Sequence, residues 1–227
     1  MKVMLLAAGR GERLRPLTDS IPKALVPAAG KALIVRHLER LAAAGFRDAV
    51  INVSHLGEKI VEALGDGRRL GIALAYSREP QPLETAGGIA KALPLLGEAP
   101  FLLVNADVYC EVDFAALRAR SLAARLAHLV LVPNPPHRAD GDFALEDGMV
   151  RNAGTARYTY SGVALVSPRL VEAVRAGDKA PLAPLLRAAA DRGALSGELY
   201  RGRWQDVGTA ERLAELEAWL EFRHEHR

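Results

Sequence analysis

Cysteine is almost missing from this chain. Cys110 stands alone among 227 residues, which rules out an internal disulfide, argues against a metal cluster and leaves the thiol as a small core residue. The six histidines include no H-x-x-x-H pair. No apolar stretch approaches the length of a membrane span, because charges or prolines interrupt each run. Lys2 leads into an apolar run without a signal-peptide pattern, so a cytoplasmic protein with no membrane partner is expected. A charge excess is lacking too: 30 Lys and Arg against 27 Asp and Glu leave +3. The basic residues are scattered, and no nucleic-acid partner is expected. Internal repeats and low-complexity tracts are absent.

What remains is a chain half hydrophobic, long enough to bury a core as one large α/β domain over residues 1–227. Apolar strand-like runs at Val3–Leu6, Ala49–Val53, Ile72–Tyr76, Phe101–Asn105, His128–Val132 and Tyr158–Val166 alternate with helical patterns, as in a mostly parallel sheet. Helices are predicted around Leu33–Leu41 and Ile60–Leu64, and over 86–93, 114–124, 184–190 and 209–224. Glu146-Asp147-Gly148 reads as a hairpin turn, and the Pro- and Gly-rich stretch 133–142 as a flexible loop. Only one helix follows Thr209, leaving no room for an appended domain.

The most informative segment follows the first strand. Ala7-Ala8-Gly9-Arg10-Gly11 lets backbone N–H groups approach a ligand closely. Arg13, Arg15 and Lys23 follow, with Pro16 and Pro22 stiffening the chain between them. A glycine turn at a strand end followed by fixed cations is a place to hold phosphates. It is not a dinucleotide fingerprint, since Leu14 stands where the third glycine belongs. The P-loop pattern is also missing.

Elsewhere the residues leave alternatives open. Asp107, ending the run Phe101–Asn105, can hold a hard cation or cap a turn. Asp206 is a second such carboxylate or a turn residue. The glycines of Glu84-Thr85-Ala86-Gly87-Gly88 allow backbone to lie against a flat ring, and a nearby carboxylate can accept a pyrimidine imide N–H; Glu84 equally suits a helix first turn. Asn52, His55, Asn105, Asp142, Ser161 and Gly162 are candidates for sugar hydroxyls, with structural roles equally open.

The run from Leu6 to Pro27 resembles the motif L-A-A-G-x-G-x-R-[LM]-x-P-x-T…P-K-x-L-x-P of the sugar-phosphate nucleotidyltransferases. Gly9, Gly11, Arg13, Pro16, Thr18, Pro22, Lys23, Leu25 and Pro27 all fall in register. The resemblance implies a single-domain Rossmann-like α/β fold with a mostly parallel mixed central sheet and no C-terminal β-helix. It implies catalysis by Arg13, Lys23 and Asp107, and Mg²⁺ at Asp107 and Asp206. Ala7, Ala8, Gly9, Gly11, Arg13, Lys23, Glu84 and Gly87 would bind the nucleotide. Asn52, Asn105, Asp142, Ser161 and Gly162 would bind the sugar. Strand-end Ala106 departs from the family's usual glycine by one methyl.

Further stretches, including Gly141-Asp142-Phe143 and Trp204 to Thr209, look like those of compact uridylyltransferases acting on N-acetylmuramate 1-phosphate in peptidoglycan recycling. UTP and a sugar 1-phosphate are then the expected partners, and pyrophosphate a product. The alternatives are a mannose-1-phosphate guanylyltransferase, a glucose-1-phosphate enzyme of the same fold, and a nucleotide-sugar-binding regulatory protein. The oligomeric state is left open.

Overall fold

The computed structural model describes residues 1–226; Arg227, the last residue of the expected domain, lies outside them. The chain opens with β1 (Val3–Leu6), a 3-10 turn at Glu12–Leu14, the one-turn helix α1 (Leu17–Ser20) and a 3-10 turn at Lys23–Leu25. A small hairpin, β2 (Pro27–Ala28) and β3 (Lys31–Ala32), leads to α2 (Leu33–Ala43). Alternating units follow: β4 (Asp48–Val53), α3 (Gly57–Leu64), β5 (Ala73–Arg78), α4 (Glu84–Leu96) and β6 (Phe101–Asn105). Then come β7 (Val108–Cys110), α5 (Phe114–Ala119), β8 (Ala127–Val132), β9 (Phe143–Glu146), β10 (Met149–Arg151) and β11 (Arg157–Val166). The chain closes with α6 (Leu182–Asp191), β12 (Leu195–Leu199), β13 (Trp204–Asp206) and α7 (Ala210–Glu225).

Nine strands form one mixed sheet in the order β5-β4-β1-β6-β11-β8-β12-β10-β9. Only β10 and β11 run against the rest. The apolar runs are continuous because both faces are covered. Val3, Leu5, Leu102 and Val104 point to a core shared with Leu38 and Leu41 of α2 and Ile60 of α3. Their neighbours Met4, Phe101 and Leu103 point to a second core with Ile89 of α4 and Leu186 of α6. The amphipathic side of α7 packs Leu216 and Leu220 on Ala28, Leu33 and Val207, so the chain's last helix clamps its first hairpin.

The far half of the sheet curls. The first residues of β11, Arg157 and Tyr158, pair with β9 as well as lying next to β8. This closes a ring β11–β8–β12–β10–β9. The register of β11 breaks between Tyr160 and Ala164, with Gly162 at φ 82°. At the β9–β10 turn, Asp147 and Gly148 both take positive φ, as a tight two-residue hairpin requires.

Two expectations need correction. Helix α5 stops at Ala119 rather than 124: Arg120 is extended and Ala123 lies at φ 50°. The 133–142 stretch is a loop with a 3-10 turn at Pro136–Arg138. The Asn134 side-chain amide donates to the Ala139 and Arg157 carbonyls and its oxygen accepts from Thr159. Strands β12 and β13 were not foreseen. Polar Ser196 and Glu198 interrupt β12's apolar pattern, and both bond to buried His128 of β8.

Helix α2 is stitched to β7 by His37, whose Nε2 donates to the Val108 carbonyl at 2.5 Å, and by Arg40, which donates to the Cys110 and Val112 carbonyls. These bonds fix the strand that follows Asp107. Burial, reinforced by Arg40, lowers the His37 pKa to about 4, against smaller opposing effects from the Val108 carbonyl and Asp107. The folded protein therefore holds His37 neutral, while the unfolded chain protonates it near pH 6.5. Stability from this group is complete above pH 6.5 and is lost as pH falls towards 4, on the order of 3 kcal/mol in all. Urea unfolding across that range should show this fall, and a folded His37→Gln variant should flatten it.

Candidate active site

The parallel register sets Leu6 beside Asn52 on one side and Asn105 on the other. Everything beyond this row is loop at the carboxyl ends of the strands, where ligands gather in α/β sheets. Asn52 is buried, and its Oδ1 accepts the Ala7 N–H at 2.8 Å. Its Nδ2 donates to Glu79 Oε1 at 2.7 Å, and Glu79 Oε2 accepts the Leu83 N–H at 2.9 Å. A side chain at Gly88 would strike this pair, since a Cβ there would lie 2.7 Å from Glu79 Oε1 and 2.9 Å from Asn52 Nδ2.

Past Ala7 the backbone is open. Among the described residues, the N–H groups of Ala8, Gly9, Arg10 and Gly11 have no protein acceptor. Nothing lies within 4 Å of where a Gly9 Cβ would sit. Gly11 takes φ 69°, and a Cβ there would meet Thr18 Cγ2 at 2.9 Å and Lys23 Cβ at 3.1 Å. Only glycine suits both the dihedral and the space. Thr18 donates to the Gly11 carbonyl at 2.8 Å and so pins the turn.

Lys23, on the 3-10 turn after Pro22, reaches across to Asp107, with Nζ and Oδ2 2.5 Å apart. The strand pair β7–β13 carries the second carboxylate: Asp206 is opposite Val108, and the Val207 N–H donates to the Asp107 carbonyl at 2.8 Å. Asp206 is gripped by Arg212 at 2.5 Å and His137 at 3.2 Å. Arg13 reaches the same place, its guanidinium 3.0 Å from where a Gly208 Cβ would sit. Cations thus gather round two acids. Among the described residues no three His, Cys, Asp or Glu side chains are grouped to hold a metal. Two carboxylates, Asp107 in the turn before β7 and Asp206 on β13, suit an ion such as Mg²⁺, which takes one or two carboxylates and completes its shell with phosphate oxygens and water.

Three hollows run together. A central one of about 180 Å³ is lined by Ala7, Ala8, Gly9, Lys23, Asn52, Glu79 and Asp107 among others. A groove holding Arg10, Gly11, Arg13 and Gly208 joins it at Lys23. A second cavity of about 360 Å³ joins it at Glu84, Thr85 and Asn105, and is walled by Arg138, Asp142, Phe143, Tyr160, Leu182 and Arg187.

Most of the expected residues therefore converge. Asn52 lines the central hollow while its amide is also engaged beneath the glycine turn, accepting from Ala7 and donating to Glu79. Four residues take other positions. Gly87 faces away from the nucleotide side, because a Cβ there would collide with the chain at Asp178 and Ala180. Ser161 is buried, its hydroxyl accepting the Val163 N–H at 3.1 Å and its carbonyl bonding Trp204. Gly162 serves Asn105, whose side chain would meet a Cβ there at 2.7 Å. His55 is exposed. Asn105 and Asp142 do line the second cavity. Glu84 lies at φ 59° at the head of α4, opposite Lys179.

Sequence reasoning missed Glu79, Arg187, Arg138 and the Asp206 partners. Glu79 was findable, as a carboxylate directly after a parallel strand. The arginines carry no local signal.

An α/β sheet of this order with a phosphate-ready turn and paired acids at its strand ends defines a nucleotidyltransferase. A family profile described as nucleotidyl transferase matches residues 2–145, and the chain belongs to that family. It is 53% identical over 226 residues to the N-acetylmuramate alpha-1-phosphate uridylyltransferase of Neisseria meningitidis, covering 96% of this chain and 97% of that protein. A protein of the same description from Caulobacter vibrioides is 36% identical, over 96% of each chain. A solved structure titled as a putative glucose-1-phosphate thymidylyltransferase from Bacillus anthracis superposes with a TM-score of 0.85 at 18% identity, over 96% of this chain and 95% of that one; it shares the fold. No helix among the described residues is long and apolar enough to cross a membrane.

Asn52→Ala removes the acceptor for Ala7 and the donor to buried Glu79. It should cost about 1–3 kcal/mol of stability, read by urea unfolding, and should weaken nucleotide binding, read by calorimetric titration.

Proposed function

We propose that this chain transfers a uridylyl group from UTP to N-acetylmuramate α-1-phosphate, giving UDP-N-acetylmuramate and pyrophosphate. The observation that carries the reaction type is the Lys23–Asp107 pair, 2.5 Å apart beside a turn of backbone N–H groups with no protein acceptor. The choice of substrates is supported by the 53% identical relative of that description, matched over nearly its whole length.

An oxygen of the sugar 1-phosphate attacks the α-phosphorus, and the bond to the β-phosphate bridging oxygen breaks. Pyrophosphate departs with the electron pair. The attacking oxygen is already ionised at neutral pH, so no general base is needed. The task is to hold mutually repelling anions in line. Lys23 neutralises the reacting phosphates, while Arg13, in the adjoining groove, meets the β- and γ-phosphates. The N–H groups of Ala8 through Gly11 cradle the chain between them. Asp107 and Asp206 would hold Mg²⁺, which supplies charge neutralisation to the phosphates when bound. Glu84 and Glu79 border the central hollow, where a carboxylate oxygen can accept the uracil imide N–H. The reaction belongs in the cytoplasm, where nucleoside triphosphates are available. A regulatory binding protein has no need of a lysine fixed against a carboxylate at this point.

Pyrophosphate release across a matrix of nucleoside triphosphates and sugar 1-phosphates tests the reading. UTP with N-acetylmuramate 1-phosphate should be fastest, with UDP-N-acetylmuramate identified by mass. Faster turnover of GTP with mannose 1-phosphate overturns it. In the same assay Lys23→Ala should lower kcat by about 10²–10³-fold, with a smaller change in the Kd for UTP. Asp107→Asn should abolish metal-dependent release.

A further inference from the structure

The second cavity is chemically lopsided in a way that transfer to a plain sugar phosphate leaves unexplained. Its wall combines apolar Phe143, Leu182 and Leu186 with two arginines. Arg138 is matched to the Asp142 carboxylate at 3.3 Å. Arg187, projecting from α6, is not matched: among the described residues its guanidinium meets no carboxylate, and the one hydrogen bond it makes is a 3.4 Å contact to the Asp142 carbonyl. Its guanidinium lies over the Phe143 ring, 5.3 Å from the centroid, which anchors the group by a cation–π contact and leaves N–H donors for a planar acid. A second group in the same wall lacks a partner. The Tyr160 hydroxyl is buried without a hydrogen bond, although Tyr160 lines the cavity.

Arg187 does not serve the reacting phosphates. Its cavity includes neither Lys23 nor Asp107 and meets the central hollow only through Glu84, Thr85 and Asn105. A neutral hexose would gain little from an unmatched guanidinium in the wall of its cavity. A sugar bearing a short branched acid arm would use both halves of the wall: carboxylate on the arginine, methyl against Phe143 and Leu186.

We propose that Arg187, held over Phe143, selects the acceptor by its carboxylate, so that this site takes sugar 1-phosphates carrying an acidic ether arm in preference to the parent amino sugar. The inference rests on the uridylyl-transfer reading above and names the residue that sets its acceptor choice.

N-acetylmuramate 1-phosphate and N-acetylglucosamine 1-phosphate differ only by the lactyl arm, which makes them a matched pair. Each is assayed as acceptor, and as inhibitor of the other, with the full-length protein, UTP and Mg²⁺. In Arg187→Met the preference for the muramyl acceptor, as the ratio of kcat/KM values, should fall about 10- to 100-fold, the worth of a charge-assisted hydrogen bond. The loss should sit in KM rather than kcat, and Arg187→Lys should restore part of it. Equal losses on both acceptors, or an unchanged ratio in a variant with wild-type thermal unfolding, overturn the role of Arg187 while leaving uridylyl transfer standing. A wild-type protein that uses neither acceptor overturns the reading beneath it as well.

Discussion

The site depends on the parallel register of β1 with its two neighbours. Because Leu6 pairs with Asn52 and with Asn105, three strands run out at one level and their following loops share a single hollow. A slip of one residue would turn Asn52 to the opposite face of the sheet and break its bonds to Ala7 and Glu79. Burial of Leu5, Ile51 and Val104 on one side, and of Met4, Val50 and Leu103 on the other, makes that slip costly. The aliphatic core and the phosphate-ready turn are in this sense one construction.

Electrostatics then works on a prepared frame. Each acid at the strand ends already has a cation: Lys23 for Asp107 and Arg212 for Asp206, with the His137 ring also resting against Asp206. An incoming triphosphate with its metal re-partners charges that are already in place, with little rearrangement of backbone. The β7–β13 pairing and the stitching of α2 to β7 by His37 and Arg40 hold Asp206 on one small ladder and Asp107 at its end.

Much of this could be read from residues alone, for identifiable reasons. Strands covered on both faces announce themselves as unbroken apolar runs, as Val3–Leu6 and Phe101–Asn105 did to the residue. Asp147-Gly148 marked its hairpin because few other pairs tolerate two positive φ angles. The opening motif pointed to the turn and Lys23, and the end of the run Phe101–Asn105 pointed to Asp107, because each signal is local to a few residues. Legibility failed where a side chain's role is decided by a distant partner. The structural bonds of Asn52 to Ala7 and Glu79 cross strands and left no mark in its own segment. Ser161 looked free, though its hydroxyl caps Val163. Gly87 and Gly88 are adjacent, yet one meets the 178–180 chain and the other Glu79, a distinction made only by the tilt of α4. Leu195–Leu199 hid as a strand because its polar residues are satisfied by His128 on the neighbouring one.

The closed ring formed by β11, β8, β12, β10 and β9 has a consequence for inheritance. Its rim residues, Arg138, Asp142, Phe143 and Tyr160 among them, hang from a hoop that shares only β11 with the nucleotide half through the β6 ladder. Replacements on that rim can accumulate without loosening the triphosphate cradle. A lineage can thus exchange one sugar for another while its phosphate chemistry stays untouched.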